Sequence, residues 1–184
     1  MRNAILVVPI DYGSNADSSG LSDASQRALE DAGAFVNKHQ ADDTMLACCN
    51  ADFPHLGMRI DDSVRWKNQV LGKVLINPTR RVMVPGTNSI TEARNIRDAL
   101  ERDGIWPHTV VVFCDRFHAM RLRVIWAHFF PESTIEFKTA RYVVGSDYAQ
   151  ILLCRELTWG FANIAGLIAM KIFGVERLAS IKEP

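Results

Sequence analysis

The chain has 184 residues, of which 48% are hydrophobic and 23% charged, so one globular domain with a sizeable core is expected. Lys plus Arg and Asp plus Glu each total 21, and no basic stripe or charge block stands out, which removes a dedicated nucleic-acid binder from the expected classes. The first apolar run, Ala4 to Ile10, is too short for a signal-peptide core and leads into Asp11-Tyr12-Gly13 rather than a cleavage site, so a cytoplasmic protein is expected.

Strand and helix signals then alternate along the chain. Ala4 to Ile10 reads as a buried strand, followed by a polar loop from Asp11 to Gly20. Ser22 or Asp23 can cap a helix running to about His39, with Ala24, Ala28, Leu29, Ala32, Phe35 and Val36 as its apolar stripe. Thr44 to Cys49 is a second strand, and Asn50 to Gly57 reads as irregular because of Pro54 and Gly57. Asp61-Asp62-Ser63 opens a helix to about Leu75, its acidic residues placed where the helix dipole favours them. Arg81 to Val84 is a third strand that Pro85-Gly86 should stop. Ser89 and Glu92 have capping-box spacing at the start of a helix that reaches Asp103 and closes on Gly104. Thr109 to Cys114 is the fourth strand, Phe117 to Phe130 a helix, Ser133 to Phe137 a fifth strand, and about 147–173 a long helical segment. Within that segment Leu157 to Met170 is uncharged, but its 14 residues fall short of the roughly 20 that span a bilayer, so no stable membrane insertion is expected. The alternation predicts an α/β, three-layer Rossmann-like fold with a mainly parallel sheet of about five strands and a C-terminal helical segment. Cys48, Cys49, Cys114 and Cys154 lack metal or redox spacing and read as buried thiols.

Parallel strands bring the loops after the first, third and fourth strands to one edge of the sheet, where ligands bind in open α/β folds. After the fourth strand come Asp115, Arg116, His118 and Arg121. His118 and Arg121 are three apart and share a face of the first helical turn. His118 suits a general acid/base, with Asp11 or Asp115 to orient it or the substrate. Arg121 suits an anion clamp, with Arg116 beside it. After the third strand, the expected Ser89–Glu92 box leaves Thr87, Asn88, Thr91 and free backbone amides to face a ligand, with Asn95 one turn on; Ser89 opens the helix whose N-terminus would hold an anion. After the first strand, Asp11, Gly13 and Ser14 form the remaining wall. Asp11 suits a metal, a ribose or a substrate hydroxyl, or equally a loop cap. Arg27 can reach back over that loop or lie on the surface, and Asn50 follows the second strand. Gly13 and Gly20 are too far apart for a dinucleotide fingerprint, a Walker A loop is absent, and the histidines show no metal-ligand pairing.

The order of these features resembles the YdcF/SanA/ElyC family of bacterial proteins. The resemblance spans about Ala4 to Phe137. It rests on Arg27-Ala28 in the first helix, on the turn Thr87-Asn-Ser-Ile-Thr-Glu-Ala-Arg-Asn95, and above all on Phe117-His118-x-x-Arg121. The chain departs from the family where Asp11-Tyr-Gly13 and Cys49-Asn-Ala-Asp52 replace glycine-rich turns, and where Pro85-Gly86 replaces a glutamate. The resemblance implies a Rossmann-like fold and a nucleotide-like or phosphate-bearing small ligand, with S-adenosylmethionine as the cofactor to consider; a divalent metal, which Asp11 could bind, is the other. Three readings follow: a hydrolase or group-transfer enzyme, a non-catalytic binding or regulatory module for S-adenosylmethionine or a nucleotide, and an interaction protein that forms a homodimer through its C-terminal helix.

Overall fold

The computed structural model describes residues 4–12, 19–39, 43–51, 59–77, 79–140, 161, 164–175 and 177–178. Within them, five strands alternate with four helices: β1 (Ile5–Pro9), α1 (Asp23–Lys38), β2 (Thr44–Ala51), α2 (Ile60–Val74), β3 (Arg80–Gly86), α3 (Ser89–Arg102), β4 (Thr109–Asp115), α4 (Arg116–Phe129) and β5 (Thr134–Ala140). Residues 164–173 form a further helix. The start of the expected C-terminal segment, 147–160, lies outside the described residues, as do Gly13, Ser14 and Cys154. Among the described residues no helix is long and apolar enough to cross a membrane.

The strands lie in the order β3-β2-β1-β4-β5, with every pairing parallel. This is a doubly wound, Rossmann-like sheet, and the chain changes direction across it between β1 and β4. Strand residues alternate between the two faces. Leu6, Val8 and Ile10 of β1 and the segment after it, with Val110, Val112 and Cys114 of β4, join Ile96, Leu122, Trp126 and Phe129 of α3 and α4 in one core. Val7, Val111 and Phe113 point the other way, to Leu29, Val36, Trp66 and Leu71 of α1 and α2. Met170 and Val175 add the C-terminal helix to the α3–α4 side. Cys48, Cys49 and Cys114 are buried thiols.

Four strands run beyond the limits read from sequence: β2 to Ala51, β3 to Gly86, β4 to Asp115 and β5 to Ala140. β2 continues through Asn50 and Ala51, which pair with Pro85 and Gly86 of β3. Pro85 does not stop β3 because β3 is an edge strand, where a missing N–H faces no partner. Gly86 is needed for another reason: a Cβ there would run into Cys49 Sγ and sit 3.4 Å from the Glu92 backbone. The end of α3 follows the sequence reading. Gly104 has φ +66°, and the Ile105 and Gly104 amides return to the carbonyls of Leu100 and Glu101 at 2.9 and 3.0 Å.

The start of α3 does not. Its N-cap is Asn88, whose side chain accepts hydrogen bonds from the Ile90 and Thr91 amides at 3.0 and 3.1 Å. Thr91 completes the box by accepting the Asn88 amide at 3.1 Å. The expected box of Ser89 and Glu92 is therefore displaced by one residue. Asn88 and Thr91 serve the backbone, and Ser89 and Glu92 are left to do something else.

Candidate functional site

Three side chains meet where α3 and α4 begin. Arg121 Nη2 donates to His118 Nε2 at 2.7 Å, and Ser89 Oγ lies 3.2 Å from the same nitrogen and 3.4 Å from Arg121 Nη2. A guanidinium can only donate, so His118 Nε2 is an acceptor and the ring proton belongs on Nδ1. His118 is buried, and burial followed by the Arg121 charge lowers its pKa to about 3. The ring is thus neutral at physiological pH. Burial also lowers the pKa of Arg121 from its usual value. Its buried Nε has no hydrogen-bond partner among the described residues. The C-terminal helix backs onto this side chain: a Cβ at Gly166 would sit 3.1 Å from Arg121 Cδ.

Tyr12 ties β1 to this corner. Its ring lies edge-on to His118 at 5.9 Å between centroids, and its phenol oxygen accepts the Asp115 amide at 2.6 Å. Its own amide donates to Ser25 Oγ at 2.7 Å.

A buried ion pair stands at the same edge. Lys67 Nζ, on α2, meets Asp11 Oδ2 at 2.5 Å and also donates to the Cys49 carbonyl. Ser25 Oγ donates to Asp11 Oδ1 at 3.0 Å. Burial opposes the charge on Lys67, but Asp11 outweighs it and the lysine pKa is raised. Glu92 is 4% exposed; burial and then Asp11 push its carboxyl up to about 8, against the pull of Lys67. Its Oε1 has no hydrogen-bond partner among the described residues, and neither does the buried Oδ1 of Asn50.

The residues singled out in sequence therefore divide. His118, Arg121 and Ser89 come together. Asp11 reaches the edge but is neutralised by Lys67, and Asp115 is held there through its backbone. Asn88 and Thr91 close the cap of α3, and Thr87, exposed, donates its amide to Thr91 Oγ at 3.1 Å. Asn95 donates to the Pro85 carbonyl at 2.8 Å, fastening α3 to β3. Arg27 and Arg116 are exposed; Arg27 lies about 200° around α1 from the inward-facing Ser25. The sequence reading missed Lys67, Glu92, Tyr12 and Ser25. For Lys67 a signal existed. It occupies the buried face of α2 with Ser63, Trp66 and Leu71, an unusual place for a lysine. A cleft of about 190 Å³ between α1 and α2, lined by Gln26, Glu30, Trp66 and Lys73, shares none of these groups.

Among the described residues no three or more His, Cys, Asp or Glu side chains gather to hold a metal ion. With Asp11 already bonded to Lys67 and Ser25, the described residues of the edge offer no ready ligand set for a divalent cation.

No family model matches the chain, and no curated protein matches it. Among solved structures, that of a universal stress protein in complex with cAMP is similar at a TM-score of 0.45 and 16% sequence identity, covering 76% of this chain and 98% of that one.

Proposed function

We propose that the chain is a YdcF-like protein that binds a nucleotide-like or phosphate-bearing small molecule at the carboxyl edge of its sheet and acts on it by hydrolysis or group transfer. The observation that carries this is the buried, unpartnered Nε of Arg121, on a guanidinium grouped with Ser89 and the N-terminus of α3. A buried charged donor left without an acceptor is costly, and an oxyanion satisfies it. The start of α3 adds the positive end of the helix dipole, although its Ile90 and Thr91 amides are already bonded to Asn88. In this reading Arg121 and Ser89 hold the anion, His118 fixes the angle of Arg121, and Asp11 and Asp115 shape the walls.

The neutral state of His118 favours a second reading, a binding or regulatory module without turnover, because a ring with a pKa of about 3 is not an imidazolium acid at neutral pH and is a weak base. A homodimer through the C-terminal helix is compatible with either; the exposed Ile164, Ile168 and Ile172 support it.

A thermal-shift panel of nucleotides, S-adenosylmethionine, sugar nucleotides and inorganic phosphates, with and without Mg²⁺, tests the proposal. Phosphate-bearing compounds should stabilise the fold, by about 2.7 kcal/mol at a hundredfold excess over Kd. A panel in which none of them shifts the transition rejects it. Assaying the stabilising compound for turnover then separates the enzyme from the binding module.

A further inference from the structure

Glu92 is a buried acid that the anion site, as described so far, leaves unused. It lies three residues beyond Ser89 in the first turn of α3, so the two side chains leave the same face of the helix. It is 4% exposed, and its Oε1 is unpartnered among the described residues. The charged and titratable groups that act on it are Asp11 beyond β1, Cys48 and Cys49 on β2, Lys67 on α2 and Cys114 on β4, while Ser89, one turn before it on α3, meets His118 and Arg121 of α4. Gly86 of β3 lies against its backbone. The one lysine in this set is already bonded to Asp11 and to the Cys49 carbonyl. A carboxylate at Glu92 would sit beside the Asp11 carboxylate with no cation of its own. The neutral acid avoids this, and its pKa of about 8 keeps the proton in place at neutral pH. A protonated carboxyl is a hydrogen-bond donor.

We infer that Glu92 is a ligand-binding residue, donating its carboxyl O–H to an acceptor oxygen of the molecule whose anionic end sits at Arg121 and Ser89. The inference rests on the anion-binding reading of that corner and narrows the ligand class. A phosphate ester or diphosphate offers the further acceptor oxygen that such a donor needs. A cation or an ammonium group would have no partner there.

ADP is a suitable probe because its phosphates change little in charge between pH 7.5 and 9. Its affinity for the wild-type protein should fall about eightfold over that interval, as the carboxyl loses its proton and turns from donor to anion. Glu92→Gln keeps a donor and cannot titrate, so it should bind ADP like the wild type at pH 7.5 and show no fall by pH 9. Glu92→Ala should bind weakly at both. A flat wild-type profile, or a Glu92→Gln profile that falls in parallel with the wild type, overturns the inference. If ADP binding also depends on Arg121, the anion site stands and Glu92 alone is excluded from it. If ADP binds equally to Arg121→Ala, or if neither ADP nor any other phosphate-bearing compound of the panel binds, both readings fail together. The wild-type profile decides the matter even if a Glu92 variant does not fold.

Discussion

Lys67 and Asp11 are 56 residues apart and their side chains only 5% and 7% exposed, yet they form a salt bridge at the carboxyl edge. Their mutual attraction offsets the cost of taking both from water only while both are present. Lys67→Met should therefore destabilise the protein by about 3–5 kcal/mol, because it strands the Asp11 carboxylate. Adding Asp11→Asn should restore much of that loss. Denaturant unfolding of the single and double variants measures it; a Lys67→Met protein as stable as the wild type would show that the pair does not hold the edge together. His118 and Arg121 were legible in the sequence because their partnership is local, one helical turn apart. Lys67–Asp11 was not, because it depends on two helices packing over one strand end. The burial that makes His118 a weak base is likewise invisible in a motif, since it draws on neighbours supplied by α3 and the segment after β1.

At the level of elements, the strands and helices follow from hydrophobic alternation and from caps, and their order is the one the sequence predicts. The misreading at α3 has a specific cause. Asn88-x-x-Thr91 and Ser89-x-x-Glu92 both have capping-box spacing, offset by one residue, and local preference does not separate them. Packing does. Beginning the helix at Ser89 turns Ser89 toward His118 and buries Glu92, while Asn88 and Thr91 satisfy the helix amides. Asn88→Ala should accordingly cost about 1 kcal/mol of stability as a lost cap, whereas Ser89→Ala should leave stability within about 0.5 kcal/mol. Chemical denaturation of the two variants discriminates; the reverse ranking would restore the Ser89–Glu92 cap. Pro85 shows the same limit of local reading. Its place in β3 depends on that strand being at the edge, which is a property of the sheet.

At the scale of the molecule, a five-stranded parallel sheet delivers every strand end to one side and reverses direction between β1 and β4. That geometry, inferable from alternating strand and helix signals, is why residues at positions 11, 89, 118 and 121 can belong to one site. The anion role proposed for Arg121 and for the helix start at Ser89 was already legible in the sequence; the neutral histidine beside them, and the buried acid and ion pair to one side, were not. The claim on which the rest depends is that Arg121 is the anion clamp. Calorimetric titration of ADP at pH 7.5 into the wild-type protein and Arg121→Ala tests it most directly. Loss of a charge-assisted hydrogen bond should weaken binding by about tenfold or more, with the variant still folded. Equal affinity in the two proteins would contradict it.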